Sequence, residues 1–178
     1  AAYVFERDGA GWTQTALVKA SNAQASDWFG FAVALSANGA TLAVAAREED
    51  SAAPGIDGNG LDNSASASGA VYVFARSGSD WLQQGPRLTG SGGVERDFFG
   101  GSVAISGETA VVQFQNQLNA GARGAHFFTR TGGAWTEQQK VSAPNAGSKL
   151  GRVGISGETA IVGSPRKRPS TAAATVPE

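Results

Sequence analysis

The chain has 178 residues, 41 % hydrophobic and only 16 % charged, with 25 glycines, no cysteine and a net charge of −1. That length permits a real core, while low charge and abundant Gly argue against a helical bundle and the apolar fraction argues against disorder. The near-neutral balance gives no general attraction to nucleic acid or an anionic membrane, the lack of cysteine excludes disulfides and thiolate chemistry, and no run approaches the roughly 18 apolar residues of a membrane span.

In chain order, Ala2-Tyr3-Val4-Phe5 reads as a strand, and after a turn residues 12–18, opening on Trp12, alternate as a half-buried strand does. No signal peptide is visible before it. Asp27-Trp28-Phe29-Gly30 then introduces a strand at 31–35. A Gly-containing turn leads to a strand at 41–45. A long acidic loop, 48–63, precedes Ala70-Val71-Tyr72-Val73-Phe74, and a fourth strand spans 81–88 from Trp81. The same series returns: Asp97-Phe98-Phe99-Gly100, a strand at 102–105, the turn Ser106-Gly107-Glu108, a strand at 109–114, Ala125-His126-Phe127-Phe128, and a strand at 135–141 from Trp135. A third, partial copy has Lys149-Leu150-Gly151, strands at 152–155 and 159–162, and Ser156 to Ala160 identical to Ser106 to Ala110.

Such repetition is the first thing a fold assignment must respect. The unit is four antiparallel strands joined by tight turns. A β-sandwich also has short, regularly spaced strands, but three copies of one marker set point to radial repetition, a β-propeller. The chain then holds half a blade at 1–20, full blades at 29–89 and 99–141, and half a blade at 150–163. The Pro- and Ala-rich tail 165–178, with Arg166-Lys167-Arg168, reads as a solvated terminus. Three blades make too tight a ring, and half-blades leave bare edges. Two copies of the chain would close a six-bladed ring, with 152–162 of each pairing with 2–18 of the other; the rival is a piece of a longer propeller.

Phe-Gly ahead of strand one, the Val-Tyr-Val-Phe strand and the Trp-led fourth strand resemble the FG-GAP repeats of integrin alpha chains and of secreted bacterial proteins. The resemblance covers residues 1 to about 164. It implies a propeller that works outside the cytoplasm or on the cell surface, binds protein or carbohydrate partners, and carries Ca²⁺ in inter-strand loops. The Gly-Ala-Pro part is replaced by Ala45-Ala46-Arg47 and Gln113-Phe114-Gln115, with only Gly163-Ser164-Pro165 close to it.

The acidic loop is the first candidate site. Asp57, Asn59 and Asp62, with Asp50, offer the hard oxygens that Ca²⁺ takes, among glycines that let the chain curl round an ion. The family's spacing of acids is not met, and a solvated, turn-rich loop is the alternative. Asp27 and Asp97, each ahead of Phe-Gly, either approach a channel site together with Arg152 or simply hold turns. His126, the only histidine, stands where Tyr occurs in the other copies, which suits packing better than catalysis. Gly90-Ser91-Gly92-Gly93 lacks the helix and Lys of a phosphate loop. Trp28 and Trp81 form either a ligand platform or core. Two functions follow: a non-catalytic extracellular binding or scaffold module for protein or glycan, or a Ca²⁺-assisted hydrolase of phosphoesters or lactones using Asp27, Asp97 and Arg152.

Overall fold

The computed structural model describes residues 1–51, 61–85, 87–118, 122–142 and 151–164, and among these there are twelve strands and no helix. β1 (Ala2–Asp8) and β2 (Gly11–Val18) form a hairpin. β3 (Phe29–Leu35), β4 (Thr41–Ala46), β5 (Ala70–Ser77) and β6 (Asp80–Gln83) form a four-stranded meander. β7 (Ser102–Ser106), β8 (Thr109–Gln115), β9 (Arg123–Thr131) and β10 (Ala134–Ser142) form a second, and β11 (Val153–Ser156) with β12 (Thr159–Val162) a final hairpin. Every pairing is antiparallel between chain neighbours.

Local chemistry sets the turns. Ser106 pairs with Thr109 and Ser156 with Thr159, leaving Gly-Glu as a two-residue loop. Gly107 and Gly157 both have φ of 54°, which a tight hairpin matched to strand twist requires of its first central residue.

The sheets stack as blades. Thr41-Leu42-Ala43-Val44-Ala45-Ala46 is buried along its whole length because it is covered on both faces. Ala43 and Ala45 join Val71, Val73, Phe99, Val112, Phe114 and Phe128 in a core between the two full blades. Leu42, Val44 and Ala46 join Tyr72, Phe74, Ala2 and Val18 in a second core, against the β1–β2 hairpin. Burying each large side chain contributes roughly 1.5–3 kcal/mol. The first strands of successive units, β3, β7 and β11, lie beside one another, as the inner strands of a propeller do.

Successive blades are also joined through backbone. The Arg96, Phe98 and Phe99 amides donate to the Ser66, Ala67 and Ser68 carbonyls at 2.8, 3.0 and 2.9 Å. Gly69 follows at φ 85°, and a Cβ there would meet the Phe99 carbonyl oxygen at 2.2 Å.

The fourth strand departs from the expectation in one place. All three complete hairpins between strands three and four are irregular just before the repeat's terminal Phe, at Phe5, Phe74 and Phe128. In β2 and β10 one extra residue is absorbed as a bulge. Between Gln83 and Leu88 there are two, so β6 ends at Gln83 and the chain regains its sheet only through the Val71–Leu88 bridge. Gly85, at φ 66°, lies in that excursion.

Candidate functional site

The two Asp-x-Phe-Gly segments fold alike. Ser26, Trp28 and Gly30 all have positive φ, and so do Arg96, Phe98 and Gly100, so every second residue of the turn is left-handed. For non-glycine residues this costs roughly 1–2 kcal/mol apiece and persists only where the surroundings enforce it. The intervening Asp supplies part of that enforcement. Asp27 Oδ2 accepts the Gln24 amide at 2.8 Å, and Asp97 Oδ2 accepts the Val94 amide at 3.0 Å. Asn116 Nδ2 also donates to Asp97 Oδ1 at 2.5 Å. Both aspartates are buried, and each holds its own loop.

Beneath the first of these turns lies a buried polar cluster. Glu49 follows β4 and is almost wholly shielded from solvent. Asn22 Nδ2 donates to its two oxygens at 3.3 and 3.4 Å, and the Tyr72 hydroxyl lies 3.2 Å from Oε2 and 2.7 Å from Asn22 Oδ1. Arg87 donates to the Ser51 hydroxyl alongside. Burial pushes the Glu49 carboxyl above its ordinary range, and Asp27 adds to the rise; Arg87, Tyr72 and Asn22 pull against it. The Tyr72 hydroxyl is likewise raised by burial and by the Glu49 charge.

His126 occupies the position of Tyr72 in the next blade. Its Nδ1 lies 2.9 Å from Glu137 Oε1, and its ring packs on Phe99, Phe114 and Phe128. Burial lowers its pKa, with Glu137 opposing the shift. The void it borders measures about 10 Å³, room for about one water.

The open concavity lies at the inner ends of the blades. It encloses about 440 Å³, within the usual range of ligand clefts. Phe31, Arg47, Phe98, Gln113, Gln115 and Arg152 line it, and no carboxylate is among its described walls. Arg47 follows β4, Gln113 and Gln115 close β8, and Arg152 precedes β11, so three successive units contribute. The Arg47 guanidinium lies over two rings, 4.9 Å from the centroid of Phe31 and 4.3 Å from that of Phe98. Glu48 approaches it at 3.6 Å. Trp28, 55 % exposed, stacks on Phe31 with centroids 6.0 Å apart.

The candidate residues named from sequence therefore separate. Arg152 lines the cleft, whereas the walls of that cleft include neither Asp27 nor Asp97. Asp50 Oδ1 accepts the Ala67 amide at 2.7 Å, and Asp62 Oδ1 accepts the Ser64 amide at 3.0 Å. Asp57 and Asn59 lie outside the described residues, as do Arg166, Lys167 and Arg168. Among the described residues no group of three or more His, Asp or Glu stands close enough to hold a metal ion. Of the two tryptophans, Trp81 packs partly into the core and Trp28 faces out. Arg47 and Glu49 were the residues missed. A charge closing a wholly apolar central strand is the signal that marks Arg47.

A profile of the FG-GAP repeat matches residues 12–74 and 81–126. A search of curated proteins found no match.

Proposed function

Since the chain belongs to the FG-GAP repeat family, we propose that it is a non-catalytic binding or scaffold module acting outside the cytoplasm or on the cell surface, with a protein or glycan as its ligand. The observation that carries this is the cleft: a concave site built by three repeats, with cationic, amide and aromatic walls. Hydrolysis assisted by Ca²⁺ draws less support, because the Asp27 and Asp97 carboxylates hold their own turns. The test is to probe glycan and peptide arrays with the purified protein, and to assay a panel of activated phosphoesters and lactones with and without chelator. Array binding without turnover is expected. Chelator-sensitive turnover that disappears in Asp27→Ala or Asp97→Ala would overturn the proposal.

Two further elements belong to the proposal. Ca²⁺ would be held by Asp50, Asp57, Asn59 and Asp62; what supports it is the hard-oxygen chemistry of that set, of which the two described members each give Oδ1 to a loop amide. A second copy of the chain would cover the half-blades. Tyr3 is 60 % exposed, while its counterpart Tyr72 is 1 % exposed. Ile161 is 68 % exposed, while its counterparts Ala43 and Val111 are fully buried. The β1–β2 and β11–β12 hairpins are separate two-stranded sheets. Pairing β12 of one subunit with β1 of the other, twice about a two-fold axis, would close six blades and cover both faces.

A further inference from the structure

We propose that the cleft is a carboxylate-recognition site for an acidic sugar, a uronic acid residue within a glycan chain. The inference rests on the binding function proposed above and specifies its ligand. Two arginines from different repeats, Arg47 and Arg152, line one concavity, and no acid is among its described lining residues. A concave surface with cationic groups in excess, two arginines against the single Glu48 beside Arg47, concentrates its field on an anion.

Arg47 is more than a charge. Its guanidinium carbon lies over both the Phe31 and the Phe98 rings, and such cation–π contacts hold the group through the ring faces and not through its N–H donors. Those donors match the two oxygens of a carboxylate. Its ion pair with Glu48, at 3.6 Å, is longer than a charge-assisted hydrogen bond of about 2.7–2.9 Å, so an incoming carboxylate competes with a weak partner.

The rest of the wall suits a sugar ring. Gln115 offers the wall an amide with donors and an acceptor, the complement of ring hydroxyls, while the buried Gln113 commits one Nε2 donor to the Phe114 carbonyl at 3.1 Å. The same left-handed turn position carries Phe98 in one repeat and Trp28 in the other. Phe98 is buried over Arg47, while Trp28 stands out in solvent, stacked on Phe31 at an interplanar angle of 28°. Trp28, joined to the cleft through its stack on the lining residue Phe31, offers an exposed ring of the kind that packs against the C–H face of a sugar. A bare phosphate or sulfate would use the guanidiniums and leave that ring idle. An acidic peptide would use the charges and leave the exposed Trp28 ring without a matching face.

Calorimetric titration tests this with four probes: a galacturonic acid tetramer, a neutral galactose tetramer, sodium sulfate and a polyglutamate peptide. The galacturonate tetramer is expected to bind, more weakly as salt rises, with no heat from the neutral tetramer at the same concentration. Arg152→Gln and Arg47→Lys should each weaken binding about tenfold or more, and Trp28→Ala should also weaken it. Arg130→Gln, remote from the cleft, should not. Melting curves of each variant confirm the fold, and Arg152, at an exposed position beside β11, supplies the change least able to disturb it. Binding of the neutral tetramer or of polyglutamate in place of galacturonate, lost in Arg152→Gln, overturns the acidic-sugar inference and leaves the binding function standing. Sulfate binding as tightly as galacturonate with no Trp28 effect overturns the sugar component. Galacturonate binding indifferent to both arginines overturns the site. No binding by any probe here, nor by anything on the arrays, overturns both.

Discussion

Replacing Gly69 by alanine tests how the blades are joined. Gly69 sits at φ 85° where the chain enters β5, and an added Cβ would lie 2.2 Å from the Phe99 carbonyl oxygen and 2.5 Å from its nitrogen. Those are backbone atoms of the next blade, tied in place by the hydrogen bonds that the Phe98 and Phe99 amides donate to the Ala67 and Ser68 carbonyls, so they cannot swing aside. The left-handed backbone alone costs an alanine about 1 kcal/mol. Forcing the blades apart adds roughly 1–3 kcal/mol, as overpacking does elsewhere. The sum is about 2–4 kcal/mol, or a fall in Tm of roughly 4–16 °C for a chain of this size. Gly39→Ala is the internal control: φ is 67°, but nothing lies within 4 Å of its Cβ. It should pay the backbone term only, a few degrees. Thermal unfolding followed by far-UV circular dichroism compares them. Equal losses from the two substitutions would refute the claim that Gly69 is required by blade docking.

Three other outcomes are expected. The Glu49 carboxyl is raised by burial and by Asp27, so the stability it contributes is full below its unfolded pKa of about 4.3 and is lost as pH rises through the higher folded value; Glu49→Gln should flatten that decline in urea titrations between acid and neutral pH. Millimolar Ca²⁺ should raise the Tm, by about 2.7 kcal/mol of added stability at a hundredfold excess over Kd, and Asp57→Ala should abolish the rise; no shift in the parent protein removes the calcium proposal. Light scattering at micromolar concentration should give twice the chain mass of 18.0 kDa, and Tyr3→Glu should reduce it to the chain mass; a well-folded monomer of the parent protein would refute the two-copy ring.

Much of the fold was legible because each turn and strand carries its own chemistry. The identical Ser-Gly-Glu-Thr-Ala segments announce two hairpins, and β4 and β5 show the apolar runs of strands covered on both faces. The strand expected at 81–88 ends at Gln83, and Leu88 returns only through its bridge to Val71; the Gly85-Pro86 pair in the sequence is the turn signal that marks the break. The left-handed Ser26, Trp28, Arg96 and Phe98 are hidden, since none is a residue type that advertises positive φ. At the cleft, repeat alignment placed Arg152 at the start of an inner strand, and it lines the wall just before β11 without the two aspartates grouped with it. Arg47 was not legible, because its role comes from two rings brought from neighbouring turns. Glu49 looked like the first acids of a solvated loop, yet it turns inward to meet Asn22 and Tyr72, a contact between residues far apart in sequence. Trp12 and Trp135 show the same limit, since they hold one repeat position and only Trp135 has a neighbouring blade over it.

The four tryptophans provide the most direct measurement of ligand binding at the cleft. In a proton–nitrogen correlation spectrum each indole N–H gives its own resonance. Trp28 stacks on a cleft wall, whereas Trp12, Trp81 and Trp135 belong to the fourth strands. On titration with the galacturonic acid tetramer, the Trp28 resonance should shift in proportion to occupancy while the other three stay in place, and the shift should vanish in Arg152→Gln. A saturable shift of Trp12, Trp81 or Trp135 with Trp28 unmoved would place the ligand elsewhere and contradict the account.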